Sequence, residues 1–182
     1  MLDKMNKSKA IAVLGFASLL GLASSASHAG DVIWSAAGST ALVESGSQST
    51  ARTARASLTV GPVGGTVIAR FPIAPTRDLE GGGSYFLRAN MLDPGAKGSI
   101  SISMVEVAVT SDDKSIPSGM KKLFTLQSSD VKAGQLDNAC AVSEASLDFY
   151  HNTYFVQVEL TTSDPTQLPS LRALQIGLGE CQ

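Results

Sequence analysis

The sequence predicts an all-β fold: a single antiparallel β-sandwich, jelly-roll-like or Ig-like, following a cleaved N-terminal signal helix. Three observations carry that expectation. Apolar residues beyond residue 57 alternate with a period of two along several short runs. Gly and Pro break these runs at short intervals, and no long helical spacing occurs after residue 30. Strand number alone does not separate the two topologies.

The chain begins with Lys4, Lys7 and Lys9 ahead of an apolar run from Ala10 to Ala23. Ser27-His28-Ala29 then places small residues where a signal peptidase reads. A basic start, a short apolar middle and a small-residue exit make a secretory signal. The run is shorter than the ~20 residues that cross a bilayer, and no Cys near the cleavage region could take a lipid. Residues 1–29 are read as signal peptide, 30–57 as a Ser/Ala/Thr/Gly-rich arm or loose edge strand, and 58–182 as the sandwich. The expected location is secreted or periplasmic, without stable membrane insertion after cleavage.

Removing 29 of 182 residues leaves 153, enough for one domain with its own core. Lys4, Lys7, Lys9 and Asp3 leave with the signal, so 14 basic and 16 acidic residues become 11 and 15, a net of −4. A mildly acidic domain lacks the clustered cations that neutralise phosphates, which argues against a nucleic-acid partner. The two cysteines, Cys140 and Cys181, are expected to pair in an oxidising compartment. Their spacing is far from the C-x-x-C of redox-active pairs.

From Ser35 to Ser57, 17 of 23 residues are Ser, Thr, Ala or Gly, too few large groups to anchor a segment firmly. Val32-Ile33-Trp34 and Leu42-Val43 offer edge-strand contacts. Leu58-Thr59-Val60, then Gly61-Pro62-Val63-Gly64-Gly65, then Val67, Ala69, Phe71 and Ile73 predict a hairpin across 58–73. Tyr85, Leu87, Ala89 and Met91 share one face, with Phe86, Arg88 and Asn90 on the other.

The run from Ser99 to Thr110 changes parity: Ile100, Ile102 and Met104 are even, Val105, Val107 and Val109 odd. A β-bulge near Met104-Val105, or cover on both faces, is required. Leu123-Phe124-Thr125-Leu126 reads as a short strand. Leu147 and Phe149 against Tyr154, Val156, Val158 and Leu160 predict a second hairpin, with a two-residue type I′ turn at His151-Asn152. The last strand, Leu171 to Gly179, carries Leu174, Ile176 and Leu178 on one face.

Chemistry-bearing motifs are sparse. The chain contains no G-x-S-x-G, no G-x-x-x-x-G-K-[ST] and no H-E-x-x-H, and after the signal His151 is its one histidine. No catalytic residue and no metal-ligating set is assigned, and no cofactor is expected. Structural calcium is the one ion considered, at Asp78-Leu79-Glu80-Gly81-Gly82-Gly83 or Ser111-Asp112-Asp113, although ordinary turns use the same residues. The principal reading is a non-enzymatic binding, interaction or structural domain with an unknown protein or glycan partner. A carbohydrate-binding module is the alternative, with Phe86, Tyr150 and Phe155 as ligand-contact aromatics. A small glycoside hydrolase using paired carboxylates, Glu106 and Glu159, is a second alternative. Both carboxylates are expected to point away from the core.

Overall fold

A computed structural model describes residues 31–80, 83–109 and 119–181. Residues 1–29, read above as a signal peptide, Gly81-Gly82 of the first calcium candidate and all of Ser111-Asp112-Asp113 lie outside the described residues. Eleven strands account for the architecture: β1 Val32–Ala37, β2 Leu42–Val43, β3 Ala51–Ala54, β4 Ser57–Val60, β5 Gly65–Ile73 and β6 Tyr85–Leu92, followed by β7 Gly98–Ala108, β8 Met120–Gln127, β9 Leu136–Ser143, β10 Asn152–Thr162 and β11 Ser170–Leu178. They form two antiparallel sheets. The first has the order β3-β4-β11-β6-β9, with β1 also paired to β11; the second has the order β2-β5-β10-β7-β8. Among the described residues there is no α-helix and no helix long and apolar enough to cross a membrane. The all-β antiparallel sandwich is the observed fold class.

The core is the sum of the inward parities. Leu87, Ala89 and Met91 of β6 and Leu174 and Ile176 of β11 meet Val67, Ala69 and Phe71 of β5 and Val156, Val158 and Leu160 of β10. All are at most 1% exposed. Residues 31–57, poor in large side chains, are held by their neighbours: β1 runs along β11 from Val32↔Gly177 to Ala37↔Ala173, and β2 lies on β5 at Leu42↔Arg70.

The expected hairpin at 58–73 does not form. β4 pairs with β3 and β11 in the first sheet, whereas β5 pairs with β2 and β10 in the second. Leu58 and Val60 face Val67 and Ala69 across the core instead of beside them, so the connection is an arch between sheets. Alternation records which residues point inward, and both arrangements have the same alternation. The arch needs left-handed backbone at Gly64 (φ 72°) and Gly65 (φ 106°), which glycine supplies without steric cost.

Both solutions to the parity change in β7 are present. Along β10 the register is unbroken, so Ile100, Ile102 and Met104 face the core and Val105 and Val107 face outward. Against β8 the register shifts between Met104↔Phe124 and Val105↔Lys122, leaving Leu123 as the extra residue. Val105 is nevertheless 3% exposed, between Phe155 and Lys122 on the outer face. A similar shift at Arg172 turns Leu171, of opposite parity, into the core beside Leu174.

The second expected hairpin is also absent. Residues 144–148 are not strand, and β10 begins at Asn152. Leu147 (2% exposed) still enters the core, but as a loop anchor. The turn is not type I′, because Arg55 and Ala56 are the non-glycine residues with positive φ among those described. Asn152 N–H instead donates to Asp148 O (3.0 Å), and the Asp148 carboxylate caps the turn.

Cys140 and Cys181 are disulfide-bonded. Gly179 N–H donates to Ser84 O (2.9 Å), so the chain leaving β11 passes β6 to reach Cys140 in β9.

Candidate functional site

The outer face of the second sheet carries a groove where short β2 ends beside β5. Leu42 and Glu44 form one wall, Pro72 and Arg70 the floor, and Thr153 and Phe155 the opposite wall, around a volume of ≈ 440 Å³. These side chains converge because Arg70 and Pro72 occupy the outward positions of β5, and antiparallel pairing sets Phe155 opposite Pro72 and Gln157 opposite Arg70.

Arg70 is held from two sides. Its Nη2 lies 2.5 Å from Glu44 Oε1, and its guanidinium sits 5.2 Å from the centroid of the Phe155 ring. Both charged side chains are partly exposed, at 43% and 35%, so the ion pair adds little stability, about 0–1 kcal/mol. Its consequence is orientation, since a carboxylate and a ring fix the direction in which the planar guanidinium presents its remaining N–H groups. Arg70 Nε is buried without a partner among the described residues. In register with Arg70, Gln157, Ser103 and Thr125 extend a polar row across β10, β7 and β8, at the ~4.8 Å spacing of neighbouring strands.

The three aromatics singled out from the sequence do not form one patch. Phe155 lines the groove. Phe86 is on the outward parity of β6, in the other sheet, and is fully buried: Gly177 of β11 and Val142 of β9 stand opposite it. The Arg88 guanidinium lies 5.2 Å from its ring. Tyr150 is 86% exposed, on the loop before β10. The sequence placed Phe86 on the correct face of its strand; that the face is covered is a tertiary fact.

Glu106 and Glu159 cannot act as a pair. Glu159 points to solvent from β10, as expected. Glu106 shares the parity of Ile102 and Met104, and so stands at the end of the core face instead of pointing away from it. Glu106 lies opposite Tyr154, five residues along β10 from Glu159, or about 17 Å at strand rise and on the other face. That separation is far beyond the 5–9.5 Å a glycosidase pair spans.

Glu106 accepts a hydrogen bond from the Tyr154 O–H (Oε2, 3.1 Å), and the same phenol oxygen accepts the Asp148 N–H (2.8 Å). Burial, with Glu106 adding to it, raises the Tyr154 phenol above its ordinary range. The Phe149 ring meets Tyr154 edge-on at 4.7 Å, closing the end of the core beneath the loop. His151 Nδ1 lies 2.6 Å from Asp148 Oδ2, both exposed, and this bond holds the Asp148 carboxyl below the usual carboxylate range. Among the described residues no group of three or more His, Cys, Asp or Glu converges on a metal site.

Sequence reasoning missed Arg70 and Glu44. The available signal was Arg70 itself, a lone cation at an outward position of the Val67–Ile73 run. Nothing local connects it to Glu44, which a separate short strand delivers.

No family model and no curated protein matches the chain. Solved structures align with it. The N-terminal CBM22-1-CBM22-2 tandem domain of Paenibacillus barcinonensis Xyn10C aligns with a TM-score of 0.50 at 11% identity, covering 87% of this chain and 52% of that one. The C-terminal CBM6 of LamC from Zobellia galactanivorans gives 0.48 at 10% identity, covering 79% and 98%. The carbohydrate binding module CBM6cm-2 of Cellvibrio mixtus lichenase 5A, in complex with cellotriose, gives 0.43 at 12%, covering 82% and 100%. At 11% identity the likeness to the tandem domain is one of fold.

Proposed function

We propose that this chain is an exported, non-catalytic carbohydrate-binding module that receives a glycan in the groove between β2 and β10. The observation that carries the reading is the Glu44–Arg70–Phe155 arrangement at the head of a polar row. Sugars present C–H faces and hydroxyl pairs, and a site for them combines an aromatic ring with oriented planar donors. The groove has the size of small-ligand sites, about 300–1,000 Å³, and a mainly apolar wall with few convergent polar groups. The fold supports the reading as an associational argument, because the tandem aligned above bears the name of such modules. A disulfide suits the oxidising compartment in which extracellular glycans are met.

The test is affinity electrophoresis of the secreted protein through gels containing soluble β-glucans, xylans, mannans and galactans, followed by calorimetry on any polysaccharide that retards it. Phe155→Ala should weaken binding about tenfold or more, as truncation of a central aromatic contact does. Retardation by none of the polysaccharides would overturn the function. Retardation unchanged in Phe155→Ala and Arg70→Ala would overturn the site.

A further inference from the structure

The loop that leads into β10 builds a second cleft, with none of its lining residues shared with the sheet groove. Glu80, Ser146, Leu147, Asp148, Phe149 and Tyr150 surround ≈ 510 Å³. Leu147 and Phe149 fasten the loop to the core from inside, and Tyr150 between them and β10 is left 86% exposed. A large exposed ring is normally free to sample rotamers. Here the backbone that carries it is fixed, since Asp148 Oδ1 accepts the Tyr150 N–H (2.9 Å) and the His151 N–H (3.2 Å), and the His151 ring meets Tyr150 at 82°, centroids 4.8 Å apart. A perpendicular contact covers at most one face of the phenol ring, so an apolar face remains open beside the cleft.

The cleft's charge has one sign. Among the described residues its lining holds two carboxylates and no Lys or Arg. Asp148 is engaged by the turn and by His151, whereas Glu80 makes no ion pair with the described residues. A π-face, a hydroxyl (Ser146) and an uncommitted carboxylate around a small-ligand-sized space suit a polyhydroxylated ring that carries an ammonium group.

We propose that this cleft binds a cationic amino sugar, a glucosamine unit with a free amine, its apolar face on Tyr150 and its ammonium toward Glu80. The site is independent of the groove reading, and a failure of either leaves the other standing. The experiment is a ¹⁵N–¹H NMR titration of the full mature protein with a fully deacetylated glucosamine hexamer. The N-acetylated hexamer and hexalysine serve as comparison probes. The amine-bearing oligomer should shift the amides of residues 146–151, and the acetylated one should not. Tyr150→Ala should weaken binding about tenfold and Glu80→Gln about fivefold, while Glu159→Gln, a carboxylate elsewhere on the surface, leaves it unchanged. Both altered side chains are exposed, and unchanged melting of each variant verifies the fold. No shift in residues 146–151 would overturn the proposal. So would equal binding of the acetylated hexamer, or equal binding of hexalysine, which would reduce the site to general cation attraction.

Discussion

Replacing Gly177 by alanine probes a close approach in the first sheet. A β-carbon at Gly177 would collide with the Phe86 ring and with the Asp31 carbonyl oxygen. Neither obstacle can yield easily. Phe86 is wholly buried, and Asp31 O is held by the Leu178 N–H at 2.9 Å. One extra methyl in a filled site typically costs 1–3 kcal/mol, and two fixed obstacles put Gly177→Ala near the top, about 2–3 kcal/mol. Phe86→Ala by itself should cost about 3–5 kcal/mol, as ring removal from a core does; about 200 Å² of buried ring at ~25 cal/mol/Å² gives a matching 5 kcal/mol. In the double variant the alanine methyl enters the space the ring vacated. The combined loss should therefore fall short of the sum by about 1–2 kcal/mol, the remainder of the clash being with Asp31. Equilibrium urea unfolding reads these differences, and Trp34, the single tryptophan, reports directly because it sits opposite Ile176 on β1. Additivity within about 0.5 kcal/mol, or a neutral Gly177→Ala, would refute the packing argument.

The disulfide and the β10 loop supply two further tests. Cys140 and Cys181 are 41 apart, a closed loop of 42 residues counting both; the chain-entropy model gives about 4 kcal/mol. The Cys140→Ala/Cys181→Ala variant should then melt about 10 °C lower by calorimetry, and a loss under about 1 kcal/mol would contradict the entropic account. Asp148, lowered from the ordinary 3.8 chiefly by its hydrogen bond with His151, should titrate below that value by ¹³C NMR. Because the folded-state value is depressed, the loop's contribution is present above the unfolded pKa and is lost as pH falls through the folded one. His151→Ala should move the midpoint back toward 3.8, and an unmoved midpoint would dismiss the His151 bond as the cause.

Much of the fold was legible because burial imposes parity on each strand separately. Tyr85, Leu87, Ala89 and Met91 on one face, and the Met104-Val105 parity break, follow from a two-residue period and need no partner to be identified. The two hairpins failed for different reasons. Leu58–Ile73 has the alternation of a hairpin, but alternation is blind to whether the second strand lies beside the first or across the core. Leu147 and Phe149 point inward from a loop, which the same alternation does not distinguish from a strand. Of the candidate site, Phe155 was readable as an outward ring, whereas its alliance with Arg70 and Glu44 joins residues from three separate strand regions. Tyr150 was readable as an exposed-face aromatic but not as one held by Asp148 and His151, because the turn that holds it is not the one its residue types favour.

Sequence alone was sufficient for the all-β class, the inward residues of β5, β6, β10 and β11, and the pairing of Cys140 with Cys181. Each of these depends on a local period or on having a single possible partner. Tertiary structure decided which strands share a sheet, that Phe86 is covered while Tyr150 is open, and that Glu106 turns inward while Glu159 turns out. Those outcomes depend on contacts between residues far apart in the chain, and register and cover exist only once a second strand has arrived.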